Sequence, residues 1–196
     1  MTVMMERPST ISTPEQTEFE KLCRTLEQLD VPVGYRAEII GGSIVMTPWS
    51  QGFYLDVMES LADQLRPHAP KGHRVSVAPC LYVFPQWERG FGPDLHVADA
   101  GATRVRSIRL PGEALSLVAE LTSESTAERD RSDKVERYGK AGVPVYVLVD
   151  MLTFRVVVFS RPGEDGYRTH NEFKFGETVR IPEPFDCKLD TSGWES

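Results

Sequence analysis

The sequence predicts an α/β fold, a mixed β-sheet flanked by helices. Three observations lead there. A strongly apolar run at residues 115–121 is followed by a polar, helix-patterned stretch at 128–141 and a second apolar run at 143–149. Such a strand–helix–strand unit implies a right-handed crossover and a parallel pair. Two strand-length segments, 35–40 and 43–47, flank Gly41-Gly42. A two-glycine turn permits the positive φ angles of a tight antiparallel hairpin. Late segments at 154–159 and 167–173, around 162–166, read as a closing antiparallel pair.

Taken in order, residues 1–12 are polar and contain Pro, Ser and Thr, and read as a flexible tail. Residues 13–196 read as a single domain, the default for a chain of 196 residues. Thr13-Pro14-Glu15-Gln16 has the form of a capping box with proline at the first helical position. Phe19, Leu22, Cys23, Leu26 and Leu29 follow at helical spacing, and Val31-Pro32 ends the helix. A second helix is predicted over 50–65, with Val57, Met58, Leu61 and Leu65 on one face. Residues 74–78 alternate as a strand, and 81–84 extend its edge. Residues 86–92 read as a polar loop, 94–97 as a strand and 100–112 as a charged connection. Gly142 is placed to end the helix at 128–141 as a left-handed cap. The run 143–149 is continuously apolar, as in a strand buried on both faces, and 179–189 is a short terminal strand or turn.

Composition bounds the function. Apolar residues make up 40% and charged residues 26%, as in soluble globular proteins. No apolar run approaches the ~20 residues of a membrane span. The N-terminus carries no signal-peptide pattern, so a cytoplasmic location is expected. Cys23, Cys80 and Cys187 are odd in number and far apart, which indicates neither a disulfide framework nor a zinc site. A net charge of −7 argues against a broad nucleic-acid-binding surface. Two local basic groups remain, Arg104, Arg106 and Arg109, and Arg129, Arg131, Lys134, Arg137 and Lys140. Each suits solvated surface and phosphate contact equally.

The stretch richest in residues that could do chemistry runs from Gly92 to Tyr138. Asp94 follows Pro93 at the mouth of an apolar strand, where aspartate is unfavourable. Glu120 sits inside the run Leu115–Leu121, and a buried unpaired carboxylate must protonate, pair or bind a cation. Lys134 shares a helix face with Asp130 and Tyr138. Each residue alone has a plainer reading: a turn-capping aspartate, a salt-bridged glutamate, an exposed ion-pair ladder. Together, two carboxylates at strand ends can hold a magnesium-type ion through hard oxygens. The ion would acidify a bound water, and an ammonium would orient it. Glu38, on the first hairpin strand, is a fourth candidate; an outward-facing strand residue is the equal alternative. His68, His73, His96 and His170 have no ligand spacing, and His96, two residues after Asp94, is expected to be a structural histidine. Ser123, Ser125 and Thr126 are expected to cap the next helix.

At these residues the chain resembles the PD-(D/E)xK superfamily of restriction-endonuclease-like nucleases, and more closely its Uma-type branch. The resemblance runs through Ala37-Glu38-Ile39-Ile40-Gly41-Gly42, Gly92-Pro93-Asp94-Leu95-His96-Val97, Val118-Ala119-Glu120-Leu121, Asp130 to Tyr138 and Ala141-Gly142-Val143-Pro144. It spans about 35–159. It implies a restriction-endonuclease-like fold, Asp94 and Glu120 as ligands of Mg2+ or Mn2+, Lys134 as the water-positioning residue and Glu38 as the early acidic residue. In the wider superfamily the lysine stands two residues after the second acid, a position held here by Thr122. In this branch it moves to the following helix. Two departures are Glu124, where the branch usually has proline, and a single Tyr146 in place of an aromatic pair.

The expected function is hydrolysis of DNA phosphodiesters by a metal-activated water. The alternative is a non-catalytic binding or regulatory module on the same fold, which the acidic balance favours; a third reading is an enzyme acting on a small phosphoester. A homodimer would supply the two sites that two cuts on a duplex require.

Overall fold

The computed structural model describes residues 17–33, 35–48 and 51–194. The tail at 1–12 and the capping box at Thr13 lie outside them. Helix α1 (Glu18–Gln28) is capped by Thr17, whose hydroxyl accepts the Glu20 N–H at 3.2 Å. The chain then forms β1 (Tyr35–Ile40), β2 (Ser43–Pro48), α2 (Phe53–Leu65), β3 (His73–Ser76), β4 (Leu81–Phe84), β5 (Arg89–Phe91), β6 (Leu95–Asp99), β7 (Arg109–Pro111) and β8 (Leu115–Leu121). There follow α3 (Ala127–Arg131), α4 (Asp133–Lys140), β9 (Val145–Asp150), β10 (Arg155–Gly163), β11 (Gly166–Lys174), β12 (Thr178–Ile181) and β13 (Cys187–Asp190).

Two sheets carry the architecture. The six-stranded one runs β11-β10-β9-β8-β6-β3, with β8 and β9 parallel as the strand–helix–strand pattern predicts. The five-stranded one runs β2-β1-β5-β4-β7. β12 and β13 form a separate hairpin. The β1–β2 turn has φ of 58° at Gly41 and 72° at Gly42, the geometry only glycine reaches cheaply. β9 is buried along its whole length, as its apolar run requires.

Alternation along β8 sorts its side chains. Leu117, Ala119 and Leu121 join Val57, Leu61 and Leu65 of α2 in one core. Val118 faces the other way, into a second core with Phe91, Tyr138 and Tyr146. By the strand period of two, Glu120 shares the Val118 face. It therefore points into the layer between the six-stranded sheet, α4 and the five-stranded sheet.

Several expectations are corrected. Residues 81–84 do not extend the edge of β3; they pair with β5 and β7 in the other sheet. The predicted loop at 86–92 contains β5, and the connection at 100–112 contains β7. These strands have three or four residues, too few for periodicity to show, and exist because a neighbour offers its backbone hydrogen bonds. The helix expected over 128–141 is broken at Ser132 (φ −129°, ψ −80°) into α3 and α4. The terminal strand is a hairpin. Gly142 is left-handed as expected (φ 79°).

Helix α4 lies close on the β10–β11 turn because Gly139 has no side chain. A Cβ there would stand 2.7 Å from the Gly166 carbonyl carbon and the Tyr167 nitrogen. Alanine normally stabilises a helix over glycine by about 1 kcal/mol. Gly139→Ala is expected to do the opposite, costing about 1–3 kcal/mol, read as a drop of several degrees in Tm. Gly52→Ala, with nothing within 4 Å, should leave Tm unchanged or slightly raised.

Candidate active site

The chain passes from the five-stranded sheet to the six-stranded one through Gly92-Pro93-Asp94, between β5 and β6. The crossing brings the four sequence-predicted residues to one region. Glu38 comes from β1, Asp94 from the crossing, Glu120 from β8 and Lys134 from α4. All four are at least nine-tenths buried, Glu120 completely. Lys134 and Asp130 are therefore not an exposed ladder.

Lys134 is the centre. Its Nζ lies 2.9 Å from Glu120 Oε1, 3.1 Å from Asp130 Oδ1 and 3.5 Å from Glu38 Oε1. These are ion pairs at angles unsuited to hydrogen bonding. The Phe91 ring lies 6.0 Å from the ammonium, at the limit of cation–π range. Glu38 Oε1 also accepts the Gly92 N–H at 2.8 Å, which ties β1 to the crossing. The Tyr138 hydroxyl reaches Glu120 Oε1 at 3.4 Å. Glu120 Oε2 has no hydrogen-bond partner.

Asp94 is held separately. Oδ1 accepts from Arg36 Nη1 at 2.6 Å, and Oδ2 accepts the Leu121 N–H at 2.8 Å. It thus serves as a capping carboxylate as well as a candidate ligand. The same Arg36 nitrogen donates to the Gly92 carbonyl at 3.1 Å, and its Nε donates to Thr47. Asp94 forms no ion pair with Lys134.

The electrostatics of the cluster follow from burial against pairing. Burial would lower the Lys134 ammonium, but Glu120, Glu38 and Asp130 outweigh it and hold Lys134 above its ordinary range. Burial would raise Glu38; Lys134, Arg36 and the Gly92 N–H outweigh it and hold that carboxyl low. Glu120 goes the other way. Burial raises it well above the ordinary range, Lys134 opposes, and the negative charges of Asp94, Asp130 and Glu38 add to the rise. A proton or a cation is therefore favoured at Glu120, in contrast to Glu38.

Two participants escape sequence reasoning. Arg36 carried a signal: it stands two residues before Glu38, on the same face of β1. Asp130 was visible only as a helix-face neighbour of Lys134. Thr122, where the wider superfamily has lysine, turns away. Its hydroxyl bonds Asp150 at 3.1 Å and accepts the Met151 N–H, tying the ends of β8 and β9. Thr126 does not cap α3 by its side chain; its hydroxyl accepts the Ser123 N–H instead.

The later basic group is largely paired internally. Arg131 meets Asp150, Arg137 meets Asp133 and Lys140 meets Glu136. In the earlier group Arg109 meets Glu20 and Glu27 of α1, whereas Arg104 and Arg106 are exposed and form no ion pair among the described residues. No three His, Cys, Asp or Glu side chains among the described residues converge into a ready-made metal cage. No helix among them is long and apolar enough to cross a membrane.

Residues 17–192 match the model of a family, Uma2, described as "Putative restriction endonuclease". The chain belongs to the Uma2 family. Its fold is also that of a solved structure from Anabaena variabilis ATCC 29413, titled a "putative nuclease belonging to DUF820". That structure superposes with a TM-score of 0.66 at 16% identity, covering 89% of this chain and 97% of the other. No curated protein matches this chain. The restriction-endonuclease-like fold expected from the sequence is thus shown for this Uma2 member.

His96 lies on the Glu120 side of the six-stranded sheet, buried, with Nδ1 unpartnered. Burial pulls its pKa from 6.5 to about 4. The folded chain then binds fewer protons than the unfolded one. Its contribution to stability is complete above about pH 6.5 and is lost as pH falls toward 4, approaching about 3 kcal/mol. Urea unfolding across pH 7 to 4 should show this decline, and His96→Gln should flatten it. NMR should show no His96 titration above pH 5.

Proposed function

We propose that the protein is a divalent-metal-dependent endonuclease that hydrolyses DNA phosphodiester bonds. One observation carries the reading. A fully buried carboxylate, Glu120, has an oxygen without a partner, lies 2.9 Å from a buried ammonium and is pushed toward neutralisation by burial, with three neighbouring acids adding to the push. A cation would relieve that position. Restriction-endonuclease-like families generally use divalent metals, in line with this donor set.

The residues fit a hard cation of the magnesium class. Such an ion keeps several waters and takes one or two carboxylates plus substrate phosphate, so a closed protein cage is not needed. Asp94 and Glu120 would hold it, and Glu38 would reach it through water or hold a second ion. When bound, the ion polarises a phosphoryl oxygen and acidifies a water. Arg36, which donates to Asp94 Oδ1, would hold the Asp94 carboxylate in position beside such an ion.

Lys134 cannot act as a base. Its three acidic neighbours keep it protonated, so it offers a fixed positive charge and three donors. It orients the attacking water and meets the negative charge that builds on the phosphate. Glu38 and Asp130 keep the amine in place. Tyr138, packed against Phe84, Phe91 and Tyr146, seals the rear of the site from water.

Asp94→Ala and Glu120→Ala are expected to remove metal binding seen by calorimetry and to lower cleavage more than about 100-fold, with circular dichroism unchanged. Full cleavage by either variant would overturn the assignment. Absence of metal binding to the native chain at millimolar magnesium or manganese would leave the inert module on the same fold. Lys134→Ala should lower kcat about 10²–10³-fold. It should also cost about 3–5 kcal/mol of stability, because three buried carboxylates lose their cation.

A further inference from the structure

Beside Asp94 a cleft of about 770 Å3 opens to solvent. Its wall includes Arg36, Gly92, Pro93 and Asp94, but neither Glu120 nor Lys134. Four large apolar side chains line it while remaining exposed: Leu55, Val77, Val105 and Ile108, the last at 54%. Of the ten large exposed hydrophobics among the described residues, four line this one cleft. A contiguous apolar surface left open next to a polar centre calls for a ligand.

A second cavity, about 230 Å3, shares Cys80, Thr103 and Leu110 with the cleft. It is lined by Tyr82 and His96. The Tyr82 hydroxyl and His96 Nδ1 are both buried and both without a hydrogen-bond partner. Their rings meet edge to face at 5.0 Å. A buried unmatched polar atom costs about 1–3 kcal/mol, and these two belong to residues of the chamber's wall, with the atoms themselves enclosed by protein. Val105 and Ile108 belong to the segment that carries the exposed Arg104 and Arg106, so positive charge flanks the apolar lining.

We propose that the cleft is a nucleobase subsite, taking one unstacked base of a nucleic-acid strand whose adjoining phosphate lies at Asp94. This rests on the nuclease reading above. The aliphatic walls sandwich the flat faces of the base, as apolar side chains do around extruded bases. Arg104 and Arg106 meet the phosphates beyond it. A base inside a duplex is already stacked and paired, and extruding it costs a few kcal/mol. The preferred substrate is therefore a single strand or a locally unpaired one. This preference also fits the net charge of −7, which argues against a broad basic face for a duplex.

Fluorescence anisotropy with a labelled strand of about twelve nucleotides, in calcium to slow hydrolysis, tests the subsite. The single strand is expected to bind at least about tenfold more tightly than the matched duplex. One abasic position, moved along the strand, should weaken binding about tenfold at a single register. Ile108→Asp, an exposed change that leaves Tm unaltered, should weaken the intact strand equally and the abasic strand little. If the abasic strand and Ile108→Asp bind like their parents while metal-dependent cleavage persists, the subsite is wrong and the nuclease reading stands. If no strand, single or double, is cut in magnesium or manganese, the nuclease reading falls and the subsite with it.

Discussion

A single ammonium with no access to water organises this protein. Lys134 draws Glu38 from one sheet, Glu120 from the other and Asp130 from the preceding helix segment to within 3.5 Å of one nitrogen. Three carboxylates against one buried cation leave an uncompensated negative charge. Such an arrangement contributes little to stability, since the desolvation of buried ions can exceed their attraction. It is better understood as a device for holding one carboxylate, Glu120, in a state of demand. Burial and like charge raise Glu120, whereas Lys134 and Arg36 keep Glu38 low. Two glutamates in one cluster thus take opposite characters from their surroundings alone.

The fold supplies this contrast by placing the acids on different layers. The strand period directs Leu117, Ala119 and Leu121 to the α2 core and Val118 and Glu120 to the other side. The aromatic group of Phe84, Phe91, Tyr138 and Tyr146 closes the rear of that side. Ser132 interrupts the helix, yet Asp130 still reaches Lys134 across the break. Thr122, relieved of the lysine's task, ties the ends of two central strands.

Much of this was legible in the sequence. Long or strongly patterned elements, β8, β9, α2 and the β1–β2 hairpin, were read correctly in kind and near their bounds, because burial imposes a period on them. β4 was read as a strand but given to the wrong sheet, and β5 and β7 were not read. The three-residue strands β5 and β7 carry no period, and the pairing of all three depends on neighbours distant in the chain. The candidate residues Glu38, Asp94, Glu120 and Lys134 stood out as charges in apolar or edge positions, and the structure brings them to one region. Arg36 escaped notice because an arginine on a hairpin strand looks like ordinary surface. Only its partner, Asp94, 58 residues later, reveals what it does. The later basic group was ambiguous in sequence for the same reason: its partners Asp150, Asp133 and Glu136 are settled by folding.

The crossing at Gly92-Pro93-Asp94 has a mechanical consequence. Its backbone belongs to one sheet on the way in and to the other on the way out, and its Gly92 N–H and carbonyl are anchored to Glu38 and Arg36 of β1. Asp94 in turn is pinned to the end of β8. The two layers are thereby riveted beside the cluster where Glu38 and Glu120 meet at Lys134. Any sliding of one layer over the other would be felt there first, as a change in the gap between carboxylates.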